Sequence, residues 1–174
     1  MTERDPVETT NVDRYGNPPI PWSRPRDLLA HGPTGPTVGF FLSTVRPESR
    51  PHTTGVGAVW YDGDLFFTSG PGTRKSRNLA ANPACTLAVQ LTGLDLTMDG
   101  TATRVTDPDT LAAVAAIYRD IGWPAEVAGD GFTAPYSAPT AGPPPWHLYR
   151  FVIDSAIGLG TVEPHGASRW RFAS

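Results

Sequence analysis

The stretch TSGPGTRKSRNLAANP, residues 68–83, combines the end of a strand, a glycine-rich turn and a short helix. Thr68 and Ser69 place two hydroxyl groups at the strand end, and Gly70 and Gly72 allow the backbone to approach a ligand closely. The helix that follows presents free N–H groups and a positive dipole end, which favour an anion. The pattern therefore predicts an anion site at this turn.

The basic residues of the stretch indicate which groups would hold the anion. Lys75 is the only lysine among the 14 lysine and arginine residues of the chain. Arg74 and Arg77 share one helix face, whereas Lys75 and Asn78 lie on another. Lys75 would attract a phosphate as a point charge, an arginine would donate two parallel hydrogen bonds to it, and Asn78 would donate one from its amide. The alternative is a solvated basic helix start with no ligand.

The rest of the chain reads as short strands joined by turns. Asp62-Gly63 predicts a hairpin, Gly100 a bulge or bend, and Asp107-Pro108 the start of the one long helix. The fold class that follows is mainly β (α+β), with six to seven antiparallel strands and short helices. The strands are expected at residues 37–45, 52–61, 65–69, 85–91, 95–106, 146–153 and 155–160.

The first 36 residues are polar and proline-rich and are interpreted as an N-terminal arm, partly flexible, ahead of a domain at 37–174. The arm is expected to be disordered at first and then to lie on the domain. A short helical turn is predicted at RPRDLLA, residues 24–30, and Trp22 is a candidate anchor.

Composition excludes several classes of protein. A net charge of −3 argues against a binder of nucleic acid or anionic membranes, and no apolar run approaches the ~18 residues of a membrane span. The N-terminus lacks the apolar core of a signal peptide, so a cytoplasmic protein is expected. Cys85 is alone in an apolar run and is interpreted as buried and unreactive. The spacing of the four histidines is not that of metal ligands, so no metal site is predicted. They are His31, His52, His147 and His165.

The order of strands, hairpin and GPGTRKSRNLAANP at residues 70–83 resembles the pyridoxamine 5′-phosphate oxidase-like superfamily of FMN-binding split β-barrels. The resemblance covers residues 35–172. Within the superfamily, GWPAE, APYSAPTAGPPPWHLYR and RWRF are similar to the flavin/deazaflavin oxidoreductase group, whose members use coenzyme F-420, FMN or, in a few cases, haem. The resemblance implies a homodimer with the cofactor at the interface.

The resemblance also implies which residues bind the cofactor. Its phosphate would be held by Lys75 and Asn78, with Thr68, Ser69 and Arg74 beside them. Some relatives carry arginine where this chain has Thr73, so one phosphate contact is absent or has moved to Arg74. The ring would lie against the strand that starts at residue 52, and only one set of its alternating residues can face the ligand. The candidates on that strand are His52, Thr53, Thr54 and Trp60.

The preferred function is an oxidoreductase in which reduced F-420 gives a hydride to an electron-poor double bond of a small molecule. The alternatives are an FMN-dependent oxidase or reductase and a protein that binds a flavin, a deazaflavin or haem without turnover. No residue is assigned as catalytic; Tyr136, His52 and solvent are the candidate proton donors. The residues expected at a substrate pocket, with core packing as the alternative, are Tyr136, Trp146 and Trp170.

Overall fold

The computed structural model describes residues 4–32 and 39–173. Within them the chain forms eleven strands and three helices. The strands are β1 (Glu8–Asn11), β2 (Phe40–Val45), β3 (Pro51–Val56), β4 (Ala58–Tyr61), β5 (Asp64–Ser69), β6 (Ala84–Leu91), β7 (Leu94–Val105), β8 (Glu126–Ala128), β9 (Gly131–Thr133), β10 (His147–Gly160) and β11 (Gly166–Arg171). The helices are α1 (Ser23–Ala30), α2 (Arg74–Ala81) and α3 (Pro108–Asp120).

Nine of the strands form one antiparallel sheet in the order β1-β11-β10-β7-β6-β2-β3, and β5 joins it through the first half of β10. Strand makes up 45% of the structure and helix 18%, so the predicted mainly β split barrel is confirmed. The predicted number of six to seven strands was too low. The strands β1, β8, β9 and β11 were not predicted. The first three have only three or four residues each, too few to show apolar alternation.

The predicted strand at 52–61 is divided in two. β3 pairs with β2, and after Gly57 the chain continues as β4, which pairs with β5. The sheet is therefore open between β3 and β4, and this opening defines the position of the candidate site. The predicted hairpin at Asp62-Gly63 follows β4, and both residues have the positive φ, 49° and 86°, that such a turn requires.

The predicted strands at 146–153 and 155–160 are one strand, β10. Its register against β7 shifts between Ile153 and Ser155, so Asp154 forms a bulge. The bulge expected at Gly100 thus lies in the partner strand. Gly100 is nevertheless required, because a Cβ there would lie 2.0 Å from the carbonyl oxygen of Val152.

The N-terminal arm is part of the folded body where the structure describes it. β1 pairs with β11, and the predicted helical turn is the eight-residue helix α1. Trp22 is 5% exposed and packs edge-on against Trp170 and Phe172, so it anchors the arm as predicted. The predicted strand at 37–45 is confirmed as β2 from Phe40; residues 37 and 38 lie outside the described residues.

Helix α3 covers the outer side of β4 and β5. It begins at the predicted cap, where the Asp107 side chain accepts a hydrogen bond from the Thr110 N–H at 2.9 Å. Its Tyr118 hydroxyl donates to the Gly57 carbonyl at 2.9 Å, which holds the backbone at the division between β3 and β4. Among the described residues, no helix is long and apolar enough to cross a membrane.

Candidate functional site

A cavity of about 690 Å³ lies at the opening between β3 and β4. Five parts of the chain line it: the start of β2, the β3–β4 junction, the end of β5 with the turn after it, the start of α2, and the C-terminal end of α3 with the loop 136–141. Gly55 and Gly57 line it, and a Cβ built on either glycine would meet no atom within 4 Å. The two glycines therefore leave open space against the strand, as a flat ligand would need.

Lys75 is the charged side chain at this cavity. It is 8% exposed, and among the described residues it forms no ion pair. Burial lowers the pKa of its ammonium below the ordinary value. A buried cation without a counter-charge is costly, and an anion in the cavity would supply that charge.

The start of α2 is built from hydroxyl groups. Thr73 caps the helix by accepting a hydrogen bond from the Ser76 N–H, and its own hydroxyl donates to the Gly70 carbonyl at 2.8 Å. The Ser69 hydroxyl lies 2.8 Å from that of Thr73 and 2.7 Å from that of Ser76. The N–H groups of Arg74 and Lys75 have no partner within the helix and remain for a ligand.

Three buried polar atoms near Lys75 have no hydrogen-bond partner among the described residues: His52 Nδ1, Arg46 Nε and Asn78 Oδ1. Asn78 donates to the Thr44 hydroxyl at 2.9 Å, and Thr44 donates to the His52 carbonyl at 3.4 Å, which ties α2 to β2 and β3. Burial, and then the charges of Arg46, Lys75 and Arg74, lower the pKa of His52. The neighbourhood is therefore cationic and suits an anion such as a phosphate.

The family model described as pyridoxamine 5'-phosphate oxidase matches residues 37–140, more than half of the chain. This chain belongs to the pyridoxamine 5'-phosphate oxidase family. The matched residues contain the β3–β4 junction, α2 and most of the loop that lines the cavity.

Solved structures share the fold at low sequence identity. An F420 reductase is 21% identical, with a TM-score of 0.52 over 75% of this chain and 94% of that one. An FMN-binding, pyridoxamine 5'-phosphate oxidase-related protein from Nostoc punctiforme is 19% identical, with a TM-score of 0.52 over 74% and 78%. A heme-binding protein from Mycobacterium smegmatis is 17% identical, with a TM-score of 0.55 over 80% and 54%. The comparison with curated proteins found no match.

The predicted cofactor residues of this family member fall into two groups. Thr68, Ser69 and Lys75 line the cavity. Asn78 is buried behind Lys75, and Arg74 and Arg77 are exposed on the opposite helix face, as the spacing predicted. The sequence pattern of α2 therefore separates one buried cation from two solvated ones.

The strand candidates are divided by alternation. His52 and Thr54 are half-buried and share one face of β3, whereas Thr53 lies on the exposed face, where its hydroxyl is 2.8 Å from that of Ser43. Trp60 packs against the hydrophobic core and does not line the cavity. The lining residues of this strand are instead Gly55, Val56 and Gly57.

The aromatic candidates are also divided. Tyr136 and Trp146 line the cavity, together with Trp123. Trp170 does not: it is 0% exposed and packs in the core 5.3 Å from Trp22, so its expected place at a substrate pocket is corrected. Tyr118 and Ile121 also line the cavity and were not predicted as site residues.

The loop 136–141 is held over the cavity by contacts at both ends. The Tyr136 hydroxyl donates to the Gly122 carbonyl at 3.0 Å, and the Trp123 indole donates to the Tyr136 carbonyl at 2.9 Å. At the other end, the Ala141 carbonyl oxygen occupies the space beside Gly70, 1.9 Å from where a Cβ would stand. Gly70 lines the cavity and also leaves the space that the loop backbone occupies, whereas its place in the sequence pattern indicated a ligand alone.

We predict that Gly70→Ala lowers the free energy of unfolding by about 1–3 kcal/mol, because the loop backbone must move away from the new methyl group. Gly72→Ala is the matched control in the same turn, since a Cβ there meets no atom within 4 Å and neither glycine has a positive φ. The control should leave stability unchanged or raise it by up to about 1 kcal/mol. Urea unfolding measures both, and equal effects of the two substitutions would contradict the assigned role of Gly70.

Proposed function

We propose that this protein is an oxidoreductase that binds a flavin-type cofactor, preferably the deazaflavin coenzyme F-420, and transfers a hydride to an unsaturated small molecule. The observation that carries the proposal is Lys75, a buried ammonium at a cavity for which residues 4–32 and 39–173 supply no counter-charge. The cofactor would supply the hydride chemistry, and the protein would supply binding, orientation and a dry cavity.

The described residues have separate tasks in this proposal. Lys75 and the free N–H groups at the start of α2 would bind the cofactor's phosphate, with His52 and Arg46 near it. The junction from Gly55 to Gly57 would lie against the ring, since it offers open space. The loop 136–141 and the aromatic residues near it would exclude water from the reacting atoms.

Two observations favour an F-420-dependent enzyme over the alternatives. F-420 carries an acidic oligoglutamate tail, and Arg74 and Arg77 are exposed on the helix that carries Lys75, where they would meet such a tail. The cavity also extends beyond the β3–β4 junction to Trp123 and Trp146, which leaves space for a second molecule. A protein that only stores a cofactor has no need of that space. FMN is the alternative cofactor, because it shares the phosphate and the flat ring.

We also propose a homodimer in which the second copy covers the outer face of the sheet. Residues paired across adjacent strands form one row on this face, which begins at the cavity and runs to β11. Its members are Gly55, Phe41, Ala88, Thr97, Ile157 and Arg169. Phe41 and Ile157 are 56% and 38% exposed, which is unusual for large apolar side chains. Aspartates on β7 lie to one side of Ile157 and arginines on β11 to the other. A two-fold axis would pair them across the interface.

The dimer is tested by light scattering coupled to size exclusion. We expect the wild-type protein to have twice the mass of the chain. Ile157→Glu should shift it towards monomer, because it places a charge in the middle of the face. Val127→Glu, at an exposed position on β8, should not. A wild-type monomer, or dissociation by both variants alike, would count against this interface.

The proposed phosphate site is tested by Lys75→Ala. Removal of a buried charged partner should weaken cofactor binding by about 1.5–3 kcal/mol, or about 10- to 150-fold in Kd. Arg77→Ala removes the same charge from the exposed face of the same helix and should change the Kd of FMN, which lacks the acidic tail, by less than about threefold. Isothermal titration with F-420 and with FMN measures both. An unchanged Kd in Lys75→Ala would remove this residue from the site.

The pH dependence of binding tests the part played by His52. Its pKa lies below the ordinary value in the free protein, and a bound anion would raise it, so the complex holds more protons. Affinity should therefore strengthen as the pH falls from about 8 to about 5, by about tenfold for each unit that the anion raises the pKa. The same measurements on His52→Gln show how much of the pH dependence comes from ionisation of the ligand itself. If the Kd of His52→Gln changes with pH as steeply as that of the wild type, His52 does not take part in anion binding.

A further inference from the structure

Five side chains at the end of α3, on the loop 136–141 and just before β10 form an aromatic wall of the cavity: Tyr118, Ile121, Trp123, Tyr136 and Trp146. The loop also brings the neutral hydroxyl groups of Ser137 and Thr140 to the cavity beside this wall. Every polar side-chain atom of this wall already donates to a backbone carbonyl, at 2.9 to 3.0 Å. The donors and their acceptors are Tyr118 to Gly57, Trp123 to Tyr136, Tyr136 to Gly122 and Trp146 to Gly142. The wall therefore offers a ligand only ring surfaces and apolar groups, without a free donor.

The charge of the cavity restricts the ligand further. Among the described lining residues, Lys75 is the only charged side chain. Its ammonium disfavours a cation anywhere in the cavity and draws an anion towards α2, away from the aromatic wall. A charged group placed at the wall would lose its water without gaining an opposite charge, since the side-chain hydroxyls beside the wall, of Ser137 and Thr140, are neutral. Neutral molecules do not suffer this penalty.

We propose that the aromatic wall binds an uncharged, flat, apolar ring, and that, given the proposed function, this ring is the molecule that accepts the hydride. Aromatic rings attract one another in offset or edge-on arrangements and contribute beyond the area they bury. The cavity of about 690 Å³ is within the size range of small-molecule sites. Specificity then comes from the absence of a charged partner among the described residues at the wall, which rejects charged relatives of the same ring.

The shape of the wall is set before the ligand arrives. Two hydrogen bonds fix Trp123 and Tyr136 to each other and to the end of α3. The ring centres of Trp123 and Tyr118 are 5.0 Å apart in an edge-on contact. Because these rings are already ordered, binding need not bear the cost of ordering them. Ile121 extends the wall at its exposed rim, where it can be changed without disturbing either hydrogen bond.

The test compares methyl 2-naphthoate with 2-naphthoate, which share a ring and differ in charge, by isothermal titration of the protein without cofactor. The ester should bind the wild type and Lys75→Ala with Kd values within about threefold, because the wall does not use the ammonium. Ile121→Ser should weaken the ester about fivefold or more, through lost apolar contact. Val127→Ser is the control, an exposed apolar position outside the cavity, and should have no effect.

Any binding of 2-naphthoate should depend on Lys75 and disappear in Lys75→Ala. The inference is overturned if Lys75→Ala loses the ester, if Ile121→Ser and Val127→Ser behave alike, or if Lys75→Ala binds acid and ester equally. Separate titrations with F-420 and FMN distinguish the two proposals. Cofactor binding without selective ester binding refutes the aromatic wall alone. Selective ester binding without cofactor binding refutes the oxidoreductase and supports a neutral-ring site.

Discussion

The hydrogen bond from the Tyr118 hydroxyl to the Gly57 carbonyl, 2.9 Å long, holds the point where one extended segment changes its partner strand. On one side of Gly57 the segment pairs with β2, and on the other with β5. The resulting opening cannot be filled by backbone pairing. It is bordered instead by the start of α2, the end of α3 and the loop 136–141, and those elements form the cavity. The site is thus a consequence of the divided strand.

The two ends of the cavity have opposite chemistry. At α2, a buried ammonium and three unpartnered polar atoms gather in one place, an arrangement that lowers stability unless an anion binds there. At the aromatic wall, by contrast, every polar side-chain atom is already paired. A ligand that binds the native state stabilises it by mass action, so the unsatisfied end is the one expected to be filled tightly. The aromatic wall, whose polar side-chain atoms are already hydrogen-bonded, suits a molecule that binds more weakly and dissociates readily.

Features set by neighbouring residues were predictable, and those set by distant contacts were not. The turn at Asp62-Gly63, the cap at Asp107 and the separation of Lys75 from the exposed arginines all follow from local backbone chemistry. The roles of Trp170 and Gly70 depend on Trp22 and Ala141, which are far away in sequence, so no local pattern contains them. The place where the segment 52–61 meets the cavity likewise depends on its change of partner strand from β2 to β5.

The most direct test of the account is a titration of the wild-type protein with F-420 and, separately, with FMN, followed by tryptophan fluorescence. Trp123 and Trp146 line the cavity, so a bound ring should quench them. The account predicts saturable binding of F-420 with a Kd on the order of micromolar or tighter, and weaker binding of FMN. Tight FMN binding with weak F-420 binding would reverse the preference between the two. If neither F-420 nor FMN binds, the claim that Lys75 binds the phosphate of a flavin-type cofactor is contradicted.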